Sequence, residues 1–258
     1  MNKPHYVFKF KSLTTENLPY SLDVINNHRL YLSTRSELND PMEGGIGLVS
    51  LAIPGSGVYE SIGVPHPIVI EQMDKYRILS LTSSFDSPQM WAHYAANYSG
   101  LCFIFSTRDS LSSIRNVNYT NDKFRFTEQD LAQAHIGLDQ YIENAYYYKS
   151  QGWEYENEWR VTRLSSERYL SFAPDELCGV ILGHNNVSHD LQGKIIEACT
   201  QKGIPVYQTF TSIYGYSVDV APLGFCLDRS SNKISTQIAE AYLRQGHIPD
   251  FLTDLYSF

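Results

Sequence analysis

The chain has 258 residues, 43% hydrophobic and 19% charged, enough to bury a core without disulfide or metal support. Its formal net charge of -8 argues against a general polyanion-binding surface, although not against a local basic groove. No apolar stretch approaches a membrane span and Met1-Asn-Lys-Pro-His-Tyr6 lacks the apolar run of a signal peptide, so the expectation is a cytoplasmic protein without a membrane partner.

In chain order, Tyr6 to Lys11 reads as a strand and Thr15 to Asn27 as a helix, with Pro19 in its first turn. Arg29 to Ser33 is a short strand that runs into the turn Asn39-Asp-Pro-Met-Glu-Gly-Gly45. Ile46 to Ile53 is expected as a strand, Pro54 to Pro67 as a loop, Ile68 to Arg77 as a helix and Ile78 to Phe85 as a strand. Ser87-Pro88 has the form of an N-cap followed by Pro at the first helical position. It opens a helix with Trp91, Tyr94, Ala95 and Tyr98 on one stripe and Gly100 as its stop. Strands follow at Leu101 to Phe105, Glu154 to Leu164, Cys178 to Leu182, Ile204 to Tyr207 and Tyr214 to Val220. Helices are expected over Glu128 to Tyr148, Ser188 to Lys202 and Ser231 to Arg244. Strict alternation of strand and helix is missing, which favours α+β over a doubly wound sheet.

Chemistry concentrates in three segments. As a strand, Trp153 to Arg160 turns Trp153, Tyr155, Asn157 and Trp159 to one face. Glu154, Glu156, Glu158 and Arg160 go to the other. Three carboxylates so close raise one another's pKa unless a cation such as Arg160 intervenes. The plainer reading is a solvated face with a surface ion pair. Asn39 and Asp40 suit a turn whose short side chains bond the backbone. In Met90-Trp-Ala-His-Tyr94, His93 lies one helical turn from Asn97, a position more often structural than catalytic. Four widely spaced cysteines without a C-x-x-C pair are expected as free thiols. Phosphate-binding, dinucleotide-binding, H-E-x-x-H and G-x-S-x-G patterns are missing. His184 and His189 have no third ligand at a sensible spacing, so no metal is expected. The aromatic share of 13%, with 19 Tyr, suits either stacking of a ring-bearing ligand or ordinary strand lining.

Taken together, Asn39-Asp-Pro-Met-Glu43, Met90-Trp-Ala-His-Tyr94 with Gly100, and Lys149 followed by Trp153 to Arg160 resemble a widespread bacterial family of unknown function. Its motifs are N-D-P-x-E, M-W-x-H-Y and Y-E-x-E-W-R, and the resemblance covers roughly residues 5 to 185. That family in turn resembles a divergent ADP-ribosyltransferase. The resemblance implies one such domain over residues 1–258, with 186–258 as a C-terminal extension. It implies a split, mainly antiparallel sheet around a cleft with flanking helices, and NAD as substrate.

Carried onto this chain, Glu158 and Glu156 of the E-x-E pattern would be catalytic. Lys9, Tyr31, Ser33, Asn39, Asp40, His93, Tyr94 and Arg160 would contact NAD. Lys in place of Arg on the first strand and the missing S-T-S triplet depart from the arginine-specific toxins. The implied activity is mono-ADP-ribosylation of an RNA or protein by a toxin or anti-phage effector, in a toxin–antitoxin setting of the CmdTAC type with an antitoxin partner. The alternatives are an NAD glycohydrolase, or a non-catalytic module that binds a nucleotide or a phage component. On this reading Trp153, Tyr155 and Trp159 are buried, and Glu156 and Glu158 face a solvated cleft with His93 or Tyr94 nearby and Asn39 and Asp40 at its rim.

Overall fold

A computed structural model describes residues 2–43, 51–52, 59–60, 67–122, 138–185, 189–212, 215–226 and 234–253. The strands are β1 (Tyr6–Lys11), β2 (Arg29–Tyr31), β3 (Leu51–Ala52), β4 (Tyr59–Glu60), β5 (Tyr76–Thr82), β6 (Leu101–Ser106), β7 (Arg115–Asn116), β8 (Asn118–Thr120), β9 (Tyr148–Ser150), β10 (Glu158–Leu164), β11 (Tyr169–Ser171), β12 (Leu177–Leu182), β13 (Val206–Thr211) and β14 (Val218–Pro222). The helices are α1 (Leu18–Asn27), α2 (Pro67–Met73), α3 (Pro88–Tyr94), α4 (Leu138–Ala145), α5 (His189–Lys202) and α6 (Ile234–Arg244).

The chain divides into two compact units. The first comprises Leu30–Ser80 and Ser113–Leu170. Its strand order is β5-β10-β7, and β10 and β7 are antiparallel, with Trp159 opposite Asn116 and Arg160 opposite Arg115. A parallel pair, β8 and β9, sets Tyr119 opposite Lys149. Here α2 packs on α4, and Met73, Tyr76, Ile78, Ile142, Ala145 and Tyr146 form a buried cluster. The Tyr146 hydroxyl donates to the Met73 carbonyl at 2.8 Å, so the large ring is buried without leaving its polar tip unsatisfied.

The second unit comprises Asn2–Arg29, Leu81–Ser112 and Ser171–Phe258, with strand order β14-β13-β12-β6-β1. Every residue of β6 is buried, and its continuous apolar run, Leu101-Cys-Phe-Ile-Phe105, is what a strand covered on both faces requires. It pairs antiparallel with β1, Tyr6 opposite Ser106 through Lys11 opposite Leu101, and antiparallel with β12 across an irregularity between Leu177 and Gly179. Only β12 and β13 run parallel in that order. α1 packs on α5 and α6 on β14. The eight strands of these two orders are mostly antiparallel, and the class is α+β as expected.

Several expected boundaries move. The strand after α2 starts at Tyr76, because α2 already ends at Met73. Residues 44–50, 53–58, 61–66, 123–137, 186–188, 213–214 and 227–233 lie outside the described residues, and with them parts of the turn expected from Asn39, the strands from Ile46 and Tyr214, the loop from Pro54, and the helices from Glu128, Ser188 and Ser231. The helix expected to reach Tyr148 ends at Ala145, and Tyr148 opens β9.

The helix expected to reach Tyr98 ends at Tyr94. Ser87 caps it, accepting from the Met90 amide at 3.4 Å, and Pro88 stands at its first position. Beyond it Ala96, Asn97 and Tyr98 all take left-handed backbone angles, φ 46°, 53° and 65°, a run costly for residues with a Cβ. The return is aromatic: Tyr98 stacks on the buried Trp91, with centroids 6.1 Å apart and planes 9° from parallel.

Candidate functional site

The segment from Trp153 to Arg160 is not one strand. Gln151–Glu156 forms a 3-10 turn, Asn157 takes a left-handed φ of 44°, and only from Glu158 is the chain extended. Asn tolerates that conformation better than most residues with a Cβ, so it can serve as the joint between turn and strand. Period-two alternation therefore fails before Glu158 and holds after it. Glu158 and Arg160 share a face, whereas Trp153 and Tyr155 are half-buried rather than buried and Glu154 is exposed. Trp159 is buried, as expected.

Glu156 and Glu158 do not face a solvated cleft; each is 4% exposed. They belong to a buried cluster with Glu43, Lys149 and Arg160, all from the first unit. Arg160 grips Glu158 with two prongs, Nε to Oε1 at 2.6 Å and Nη2 to Oε2 at 2.8 Å. Its Nη2 also meets Glu43, and its Nη1 donates to the Tyr146 carbonyl at 2.6 Å. Lys149 Nζ reaches Glu156 Oε2 at 2.5 Å and Glu158 Oε2 at 3.0 Å. It lies 2.7 Å from Glu43 Oε1, an ion pair by distance but not aligned as a hydrogen bond. The face of Trp153 lies 5.0 Å from the same ammonium. The Tyr119 hydroxyl oxygen accepts from the Glu158 amide at 2.8 Å and ties β8 to the start of β10.

Three carboxylates thus meet two cations, leaving one formal negative charge in excess inside the unit. Burial pushes the Glu158 carboxyl up, but the charges of Arg160 and then Lys149, with hydrogen bonds from Arg160 and Ser80, more than offset it and hold the pKa down at about 2. Burial also works against the Lys149 ammonium, yet Glu158, Glu43 and Glu156 keep it protonated above the usual lysine range. Burial opposes Arg160 in the same way and is overcome by Glu158 and Glu43. The result is a carboxylate that stays ionised although water is nearly excluded.

The turn from Asn39 serves this cluster in a way the sequence reading missed. The Asp40 carboxylate is buried and accepts from the Met42 amide at 2.8 Å, and the Glu43 amide closes on the Asp40 carbonyl at 3.0 Å. Asp40 is therefore a turn-forming residue rather than an open rim group, and what the turn delivers is Glu43. Asn39 beside it is exposed. Glu43 and Lys149 both lie within the quoted motifs without a predicted role: Lys149 is only seven and nine residues from Glu156 and Glu158, but its meeting with Glu43 joins segments more than a hundred residues apart, which spacing does not show. Tyr31 donates to Glu37 at 2.9 Å and accepts from Arg168 at 2.7 Å, and Ser33 bridges to Ile78 through the backbone. Lys9, His93 and Tyr94 belong to the second unit, where His93 is exposed and Lys9 and Tyr94 are half-buried.

Residues 90–161 match the model of a family described as a protein of unknown function, DUF2971. The matched stretch runs from Met90, at the start of the M-W-A-H-Y segment, to just past Arg160. It takes in Lys149, Glu156, Glu158 and Arg160 but not Glu43. No curated protein and no solved structure matches the chain. Among the described residues no helix is long and apolar enough to cross a membrane, and no group of three or more His, Cys, Asp or Glu is placed to hold a metal ion.

Proposed function

We propose that the chain is an NAD-consuming enzyme of the ADP-ribosyltransferase kind, and that the cluster around Glu158 is its reaction centre. Transfer of ADP-ribose breaks the bond between nicotinamide and ribose and develops positive, oxocarbenium-like charge on the sugar, which a fixed carboxylate stabilises. The observation that carries the reading is Glu158 itself, a carboxylate held ionised in a centre with one negative charge in excess. Its oxygens are taken by Arg160 and Lys149, so a substrate sugar reaches Glu158 by exchanging for one of them. Glu156, bound to the same Lys149, is assigned the acceptor in this proposal, which it would orient or deprotonate. The acceptor is a macromolecule, RNA or protein, and the setting a cytoplasmic toxin–antitoxin or anti-phage system with an antitoxin as partner. The net charge of -8 favours local recognition over a broad nucleic-acid surface.

The burial of both glutamates favours a second reading, in which the cluster is a structural node of a module that binds a nucleotide without turning it over. Labelled NAD separates the two. The enzyme places label on a macromolecule, and a glycohydrolase releases free ADP-ribose. In the enzyme Glu158→Gln lowers turnover by on the order of 10²–10³ while NAD binding survives, because the lost contact is made mainly in the transition state. Intact NAD after incubation of the wild-type chain with cell extract, or wild-type turnover by Glu158→Gln, overturns the reading.

A further inference from the structure

The second unit holds a cavity of about 760 Å³ that the reading above does not use. One wall is aromatic. Phe251 meets Phe85 edge to face at 5.7 Å, and it meets Tyr6 and Phe8 at 6.3 Å each. Polar groups punctuate this wall. Arg108 is exposed at the cavity, and its guanidinium makes no ion pair or hydrogen bond among the described residues. The Asp250 carboxylate accepts from the Tyr6 hydroxyl at 3.4 Å, a long bond that leaves acceptor capacity. Ser106 also lines the cavity. It is 3% exposed, and its hydroxyl finds no well-formed hydrogen bond among the described residues; the neighbouring Cys178 thiol is a weak partner. Tyr6 lies within electrostatic reach of both charged groups: burial pushes its phenol up, Asp250 adds to this and Arg108 opposes it.

A buried hydroxyl without a good partner costs stability unless something else satisfies it. Aromatic faces take a flat ring, an unpaired guanidinium takes an anion with directional bonds, and a carboxylate with spare lone pairs takes an amino edge. A cavity of this volume lies within the range of pockets that enclose a drug-sized ligand, well above the size of a single amino acid. We infer that this cavity binds a mononucleotide with an amino-bearing base: ring against Phe251 and its aromatic neighbours, amino edge on Asp250, phosphate on Arg108, and Ser106 completing the polar contacts. This goes beyond the proposed reaction and does not depend on it, since the residues lie in the other unit from Glu158.

The test is calorimetric titration of the full chain with AMP, adenosine, inorganic phosphate and tryptophan. AMP binds saturably, and adenosine and phosphate each bind at least roughly tenfold more weakly, because each lacks half of the contacts. Arg108→Gln weakens AMP by roughly tenfold or more with little change in adenosine binding or melting temperature. Asp250→Asn provides a second variant that weakens AMP binding without touching the phosphate contact. Glu158→Gln leaves AMP binding unchanged even if it abolishes NAD turnover, which separates failure of this inference from failure of the proposed function. Absence of saturable AMP binding, tryptophan binding in its place, or AMP binding that is lost in Glu158→Gln and kept in Arg108→Gln overturns it.

Discussion

Arg160 is fully buried, and its three donor nitrogens are spent on Glu158, Glu43 and a backbone carbonyl. Removing such a group differs from trimming a surface ion pair. Arg160→Met takes the cluster from one to two negative charges in excess with water still excluded, a loss on the order of 3–5 kcal/mol. Arg160→Lys restores charge but not the two-pronged grip, and recovers only part of that loss. Urea denaturation of both variants checks the order wild type, Lys, Met; a Met variant as stable as wild type would show that the cluster does not form. The surface pair Arg168–Glu37, with both side chains 40% exposed, supplies the contrast, since breaking it changes stability by about 1 kcal/mol or less.

At the scale of elements, glycines mark where segments touch. A Cβ on Gly100, just before β6, would stand 2.2 Å from the Lys11 carbonyl oxygen at the end of β1, and one on Gly183 would stand 2.0 Å from the Tyr98 carbonyl oxygen. Backbone cannot yield as a side-chain tip can, so Gly100→Ala is expected to cost about 1–3 kcal/mol or more. Gly193, within α5, meets nothing inside 4 Å, and Gly193→Ala is expected to gain about 0.5–1 kcal/mol by removing backbone freedom from the unfolded chain. Thermal unfolding of the two variants reads both signs in one experiment. A Gly100→Ala chain that melts with wild type would mean that the approach of β1 to the start of β6 is looser than described.

For the molecule as a whole the cluster predicts a particular response to acid. Glu158 has its pKa depressed from 4.5 to about 2 in the folded chain. A depressed carboxyl stabilises the fold above its unfolded pKa, and the contribution is lost as pH falls from about 4.5 through the folded value. The amount is about 3 kcal/mol. A permanently neutral Glu158→Gln chain lacks this contribution at every pH. The stability gap between wild type and Glu158→Gln should therefore be largest at pH 7 and should shrink, by an amount on the order of 3 kcal/mol, as pH falls towards 2. Chemical denaturation of the pair at pH 7, 4 and 3 measures it. A gap that does not change with pH would remove the buried charge as its cause. NAD turnover of the variant is then to be measured well below its melting temperature.

The α+β class, most strands, the Ser87-Pro88 helix start and the shared face of Glu158 and Arg160 were legible in the sequence. Period-two alternation, capping residues and continuous apolar runs are local signals that burial on one or two faces imposes directly. Tertiary structure alone decided the rest. The 3-10 course of Gln151–Glu156 went unread because Trp-Glu-Tyr-Glu alternates as well as any strand, and what breaks the alternation is the left-handed joint at Asn157. The burial of Glu156 and Glu158 also went unread. A carboxylate-rich segment looks solvated until its cations are counted. Arg160 and Lys149 are both near in sequence, but Lys149 stands on β9, outside the segment that alternates, and the third carboxylate, Glu43, arrives on a turn more than a hundred residues away. Charge balance inside a fold is a property of which segments meet, and neither spacing nor composition carries it.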